Sequence, residues 1–191
     1  MIYRVARNVR NGSYAPATTS RAPGNVPYYV DNIWEWLRPN GAPSRRRAAF
    51  ASPTPELAAA GAQGDVADAW RVELIDGQPA YQITKGERPQ DAKHHADIAR
   101  LKRLIIGELR RCSWFDLPLS ERKPELELFV PCVLQADMRE IVEASTRLDA
   151  EMLRAACTFW SDVEIFDPRQ GPTHPTGEIF FEGAYRLVRI E

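Results

Sequence analysis

Cysteine is scarce in this chain of 191 residues: Cys112, Cys132 and Cys157 are odd in number and far apart. That excludes a disulfide framework and a zinc knuckle and predicts reduced thiols acting as small core residues. Histidine is equally scarce, and two of the three are the neighbours His94 and His95. Neighbours on a helix point about a hundred degrees apart, so the pair makes a poor metal site, spacing suggests no third ligand, and no metal is expected. No apolar run approaches the length of a membrane span. The opening MIYRVARNV is interrupted by arginines and lacks the apolar centre of a secretory signal. The expectation is a cytoplasmic protein, or one delivered to another cell by a machine that needs no cleaved signal. An excess of either charge is missing too: 25 basic residues against 26 acidic ones leave a net −1, so nothing global points to nucleic acid or an anionic membrane. No internal repeat and no linker divides the chain.

What is present is ordinary globular composition, 44% hydrophobic and 27% charged, at a length that buries its own core, and one domain over 1–191 is expected. Residues 2–9 alternate as a first strand with Tyr3, Val5 and Arg7 on one side and Arg4 on the other. Loop composition follows over 11–25. Residues 28–37 predict a short helix capped by Asp31, with Ile33, Trp34 and Leu37 inward. The three arginines at 45–47 read as a solvated face whose members alternate in direction on a strand; with Trp34 and Trp36 nearby in sequence, phosphate binding is the alternative.

The stretch 48–57, AAFASPTPEL, organises the rest. Apolar residues run into Ser52, then Thr54, Pro55 and Glu56 supply a capping hydroxyl, a proline at the first helical position and an acid in the first turn. Strand, tight corner and helix follow, the helix reaching about 62. Such a corner projects a hydroxyl beside unpaired helix N–H groups, where a phosphate or amide fits; a plain surface cap is the alternative. WRVELIDGQPAYQI, 70–83, predicts a hairpin turning at Asp76 and Gly77, with a loop at 85–90. Residues 92–112 have the clearest helical stripe, through Ile98, Leu101, Ile105, Leu109 and Cys112. Residues 126–134 read as an apolar strand interrupted by Pro131. Helices are expected over 136–146 and 148–160, a strand over 162–166, a loop over 168–175, and two closing runs, EIFF and AYRLVRI, about Glu182 and Gly183. Strands at both ends with helices between favour α+β, with a helical elaboration around 88–160.

YRV around Arg4, FASPT at 50–54 and TGEIFFEGAYRLVRI at 176–190 resemble the three separated motifs of the ADP-ribosyltransferase superfamily, in its Arg–Ser–Glu branch of cholera-toxin-like and ecto-enzyme members. The resemblance implies split antiparallel sheets with flanking helices around a cleft for NAD, the substrate. It implies that Arg4 contacts an NAD phosphate or ribose, that Ser52 supports the nicotinamide ribose and the catalytic glutamate, and that Glu178 holds the ribose 2′-hydroxyl and stabilises the charge growing on the sugar. Tyr3, Phe50, Thr54 and Thr176 complete the set expected at the cofactor.

The chemistry fits those residue types. Breaking the ribose–nicotinamide bond passes through an oxocarbenium-like centre that an adjacent carboxylate stabilises. A pyrophosphate suits a guanidinium, and nicotinamide wants backbone hydrogen bonds and an aromatic wall. Two departures bear on the product. Pro53 replaces the middle residue of Ser-Thr-Ser and removes a backbone donor, and Thr176 stands where arginine-modifying relatives carry Glu or Gln. Glu182 is the rival acid on the same strand face. The expected function is a mono-ADP-ribosyltransferase with an unidentified acceptor, of toxin or effector type and restrained by a neutralising partner protein. NAD glycohydrolysis and a non-catalytic binding module using surface tryptophans such as Trp34 and Trp36 are the alternatives. Nucleic-acid binding through 45–47 is the least favoured.

Overall fold

Alternation at the two ends of the chain produces antiparallel strands, and the helical stripes between them produce helices. The computed structural model, which describes residues 1–7, 9, 12–75, 77–84 and 94–190, is α+β. In chain order its elements are β1 (Ile2–Val5), β2 (Gly12–Tyr14), α1 (Tyr28–Trp36), β3 (Ala49–Ala51), α2 (Pro55–Ala62), β4 (Ala69–Leu74), β5 (Ala80–Ile83), α3 (His95–Arg111), α4 (Gln135–Ala144), α5 (Ala150–Ala156), β6 (Val163–Phe166), β7 (Ile179–Phe181) and β8 (Tyr185–Arg189). They divide into a sheet unit, Met1–Thr19, Pro43–His94 and Asp162–Glu191, and a helical unit, Ser20–Ala42 and His95–Ser161. The helical part therefore also draws on a segment far upstream of the elaboration expected at 88–160.

The sheet unit holds two four-stranded antiparallel sheets, ordered β1-β4-β8-β2 and β3-β7-β5-β6. Ile2, Val72 and Leu187 of the first join Ala51, Ile179 and Phe181 of the second in one apolar cluster. Every residue of β5 and β7 is buried, because central strands covered on both faces need no polar alternation. The expected hairpin over 70–83 does not form. β4 pairs with β1 and β8, whereas β5 pairs with β6 and β7, so the segment between them carries the chain from one sheet to the other. Two sheets competing for apolar strands outweigh a local turn signal. The closing runs behave likewise: β7 and β8 lie in different sheets.

Several expectations fall outside the described residues: the Asp76 half of the turn, the loop at 85–90, the helix start at 92–93, Asn8 of the first strand and Asn11 of the first loop. Within them, the first strand stops at Val5 and helix 55–62 has the expected bounds.

In the helical unit, Leu101, Ile105 and Leu109 of α3 are fully buried as the stripe predicts. Residues 126–134 are not a strand; Glu125–Phe129 form a 3-10 helix. The Leu128 and Val130 carbonyls accept from Asn32 Nδ2 at 2.8 Å each, and the buried Glu125 carboxylate accepts from Ser145 Oγ at 2.6 Å and Arg147 Nη1 at 3.1 Å. With its acceptors answered by a helix and its acid by polar partners, the segment needs no neighbouring strand. The helices expected over 136–146 and 148–160 are shorter, and Asp149 caps α5 through the Met152 amide at 2.7 Å.

Helix α1 is preceded by Pro27 without a side-chain cap; Asp31 is in its first turn and buried, so it is not the cap. Trp34 and Trp36 are 1% and 8% exposed, which corrects their reading as surface residues. The Trp34 ring stacks on Phe159 with centroids 4.5 Å apart. The three cysteines are in no disulfide among the described residues and are half-buried rather than core. Among the described residues no helix is long and apolar enough to cross a membrane.

Asp97 interrupts the α3 stripe with a carboxylate that is 1% exposed. It accepts from Trp34 Nε1 at 2.6 Å, from the Thr158 amide at 2.8 Å and from Arg100 Nη2, so one acid joins α1, α3 and the segment after α5. Asp97→Ala leaves an indole and an amide without their acceptor. It is expected to destabilise the helical unit by about 3 kcal/mol, read from urea unfolding followed by helical circular dichroism; a change within about 0.5 kcal/mol would contradict this role.

Candidate functional site

Among the described residues one isolated bridge joins the two sheets. Tyr3 N donates to Ser52 O at 2.8 Å and Ser52 N donates to Tyr3 O at 2.7 Å, an isolated antiparallel bridge. On its other side β3 pairs with β7 in the register Phe50 to Phe180 and Ala51 to Ile179. Continuing that register by one residue sets Ser52 opposite Glu178. Tyr3, Ser52 and Glu178 thus stand in one row over three neighbouring segments, and directly opposed residues share a face. The Glu178 carbonyl accepts from Ile83 N at 3.0 Å, which continues the row to β5.

By strand alternation, Phe50, Ser52, Glu178, Phe180 and Glu182 share that face. The rings of Phe50, Phe180 and Tyr81 form an aromatic row with centroids 6.4 and 5.8 Å apart. Across it lies the arginine segment, which is a turn rather than a strand: Arg47 N and Ala48 N both donate to Ser44 O, at 3.0 and 2.9 Å. Arg45 Nη2 meets Glu178 Oε2 at 2.8 Å, with the two side chains 13% and 17% exposed. Its Cζ sits 4.8 Å from the Phe50 ring centre and 5.3 Å from that of Phe180. Arg47 Nε meets Glu182 Oε1 at 2.9 Å, and Glu182 Oε2 accepts from Ser44 N at 2.9 Å. Arg46 is buried. The solvated face expected at 45–47 is therefore corrected: a turn lets Arg45 and Arg47 reach glutamates two pleats apart.

The approach to Glu178 is built on Gln82, fully buried in β5. Its Nε2 donates to the carbonyls of His174 and Thr176 at 2.8 and 3.0 Å, and its Oε1 accepts from His174 N at 3.0 Å and Thr173 Oγ1 at 3.3 Å. All four amide valences are met, so the loop before β7 is fixed from beneath. Gly177 follows with φ of 112°, and a Cβ there would overlap the Ile83 carbonyl oxygen. Only glycine fits where the chain passes that close to β5.

The other expected residues are distributed as follows. Arg4 follows Tyr3 and so takes the opposite face, shared with the buried Ile2. Its Nη1 donates to Tyr185 Oη at 2.8 Å, its Cζ is 5.7 Å from that ring, and Tyr185 stacks on Tyr14. The structure thus brings Tyr3, Phe50, Ser52 and Glu178 together on one face and turns Arg4 toward the first sheet. Thr54 caps α2: its Oγ1 accepts from Leu57 N at 3.2 Å. Hydrogen bonding to its own backbone, and then to Thr54, holds the Glu56 carboxyl below the usual carboxylate range. The Thr176 hydroxyl lies 3.2 Å from His174 Nδ1. Ser52 Oγ makes no hydrogen bond among the described residues, and among them no cluster of histidine, cysteine or acidic side chains suits a metal ion.

Gln82 and Gly177 are the residues that sequence reasoning missed, and Arg45 was read only as part of a solvated or phosphate-binding run. A glutamine inside the otherwise apolar AYQI strand was a usable signal, since a buried amide must be answered by polar partners. Nothing near Arg45 announces a partner 133 residues away. Comparison with family models, with curated proteins and with solved structures finds no match.

Gln82→Leu preserves approximate volume and removes four hydrogen bonds. The expected outcome is a loss of about 2–3 kcal/mol in denaturant unfolding, together with faster hydrogen exchange at the His174 amide. Unchanged exchange there would show that the loop is held by other contacts.

Proposed function

We propose that this protein is an NAD-consuming enzyme of the ADP-ribosyltransferase type, with an NAD site in the sheet unit and Glu178 as its catalytic carboxylate. The observation that carries the reading is the row Tyr3, Ser52, Glu178 at the seam of two antiparallel sheets. Tyr3, Ser52 and Glu178, from three separated parts of the sequence, meet in this row, which supports the reading. A hydroxyl without a hydrogen bond among the described residues stands beside a carboxylate.

In this reading Ser52 Oγ and Glu178 hold the nicotinamide ribose. Nicotinamide leaves with the bonding electron pair of its C–N bond, and the Glu178 carboxylate stabilises the positive charge that develops on the sugar. Arg4, on the opposite face and bonded to the Tyr185 hydroxyl, has no part in this reading. Thr176, tied to His174, offers no carboxylate for orienting an arginine acceptor. Water is therefore the first acceptor to test, with NAD glycohydrolysis as the companion reading.

NAD labelled in the nicotinamide ring, incubated with the purified protein, is expected to release free nicotinamide. Glu178→Gln removes the negative charge while keeping shape, and turnover is expected to fall by about 10²–10³-fold, with NAD binding by calorimetry retained. Wild-type turnover in that variant would overturn the assignment.

A further inference from the structure

The Arg45–Glu178 pair is an unusual neighbour for a carboxylate that must face a cationic centre. It rests on the reading of Glu178 as the reacting acid, and it carries a role for a residue that no motif assigns. Arg45 engages one carboxylate oxygen, Oε2, at 2.8 Å. Among the described residues Glu178 Oε1 has no hydrogen-bond partner. The guanidinium is in turn held by the faces of Phe50 and Phe180, at 4.8 and 5.3 Å, on the strands that carry Ser52 and Glu178 themselves. It is 13% exposed. A planar cation stacked on two rings loses little further freedom when it binds a carboxylate, so the pair is pre-organised rather than a loose surface contact.

We propose that Arg45 is a positioning residue: it anchors Oε2 so that Glu178 presents Oε1 toward the row containing Ser52. A carboxylate free to rotate about its terminal bond samples a broad, nearly two-fold range of orientations, and holding one oxygen selects among them. The positive charge does not cancel the purpose. Coulomb interaction falls with distance, so a guanidinium behind the far oxygen withdraws less stabilisation from a cation at the near oxygen than that oxygen supplies. Catalysis from fixed groups depends on such orientation being set before the reaction starts.

The test uses the whole chain and NAD as substrate, with Arg45→Gln and Arg45→Lys made alongside wild type. Arg45→Gln is expected to lower kcat by about 10–100-fold and leave KM within about threefold, because orientation acts on the transition state and not on uniform binding. Arg45→Lys, which keeps the charge, is expected to recover part of the loss. Equal melting temperatures separate this outcome from unfolding. Should Arg45→Gln be less stable, a double-mutant cycle with Glu178→Gln in the absence of NAD decides whether the two side chains are coupled. Wild-type kcat in a folded Arg45→Gln, or zero coupling in the cycle, overturns the inference while leaving Glu178 as the acid. A rise in kcat also overturns it, since the pair would then be restraining the carboxylate. Absence of NAD turnover in the wild type instead overturns the functional reading on which the inference rests, and is distinguished by needing no variant.

Discussion

Two backbone hydrogen bonds, between Tyr3 and Ser52, are the constraint on which the sheet unit depends. They are the bridge that aligns β1 with β3, and β3 in turn sets the register of β7. Slipping either pairing by one residue would invert every side chain and send Ser52 and Glu178 to opposite faces. The apolar cluster between the sheets resists such a slip, because Ile2, Ala51 and Ile179 are all buried in it. The same alternation that buries these residues presents Tyr3, Ser52 and Glu178 on the other side. Core packing and site geometry are therefore one decision.

Charge is handled locally in each unit. The near-zero net charge of the chain conceals acids placed where water is largely excluded, and each has a dedicated partner. Asp97 is enclosed by an indole, an amide and a guanidinium; Glu125 by a hydroxyl and Arg147; Glu178 and Glu182 by Arg45 and Arg47. A buried carboxylate is tolerable only when its acceptor capacity is used. Glu178 differs from Asp97 in this respect: Asp97 has both oxygens engaged, while Glu178 has one oxygen held and the other without a partner among the described residues. That contrast is what the proposed role of Glu178 rests on.

Local chemistry was legible wherever the signal and its consequence lie within one turn of chain. Thr54, Pro55 and Glu56 announce α2, and the stripe through Leu101, Ile105 and Leu109 announces α3. The misreadings share a cause. The strong turn signal after Leu74 lies between strands of different sheets, and in 126–134 the Leu128 and Val130 carbonyls are answered by Asn32, almost a hundred residues upstream. Arginines that look like a solvated run become partners of β7 because a turn at Ser44 redirects them.

The sequence by itself determined the class of the fold, the bounds of α2, the apolar stripe of α3 and the candidacy of Ser52 and Glu178, since these follow from periodicity, capping and short motifs. Only the tertiary structure decided which strands pair, that Arg4 turns to Tyr185 while Arg45 takes Glu178, and that Gln82 underpins the loop leading to the site. The physical reason is range: propensity and capping act over a few residues, whereas strand partners and the matching of buried charges are chosen across the whole chain, among alternatives that the local sequence leaves nearly equal in energy.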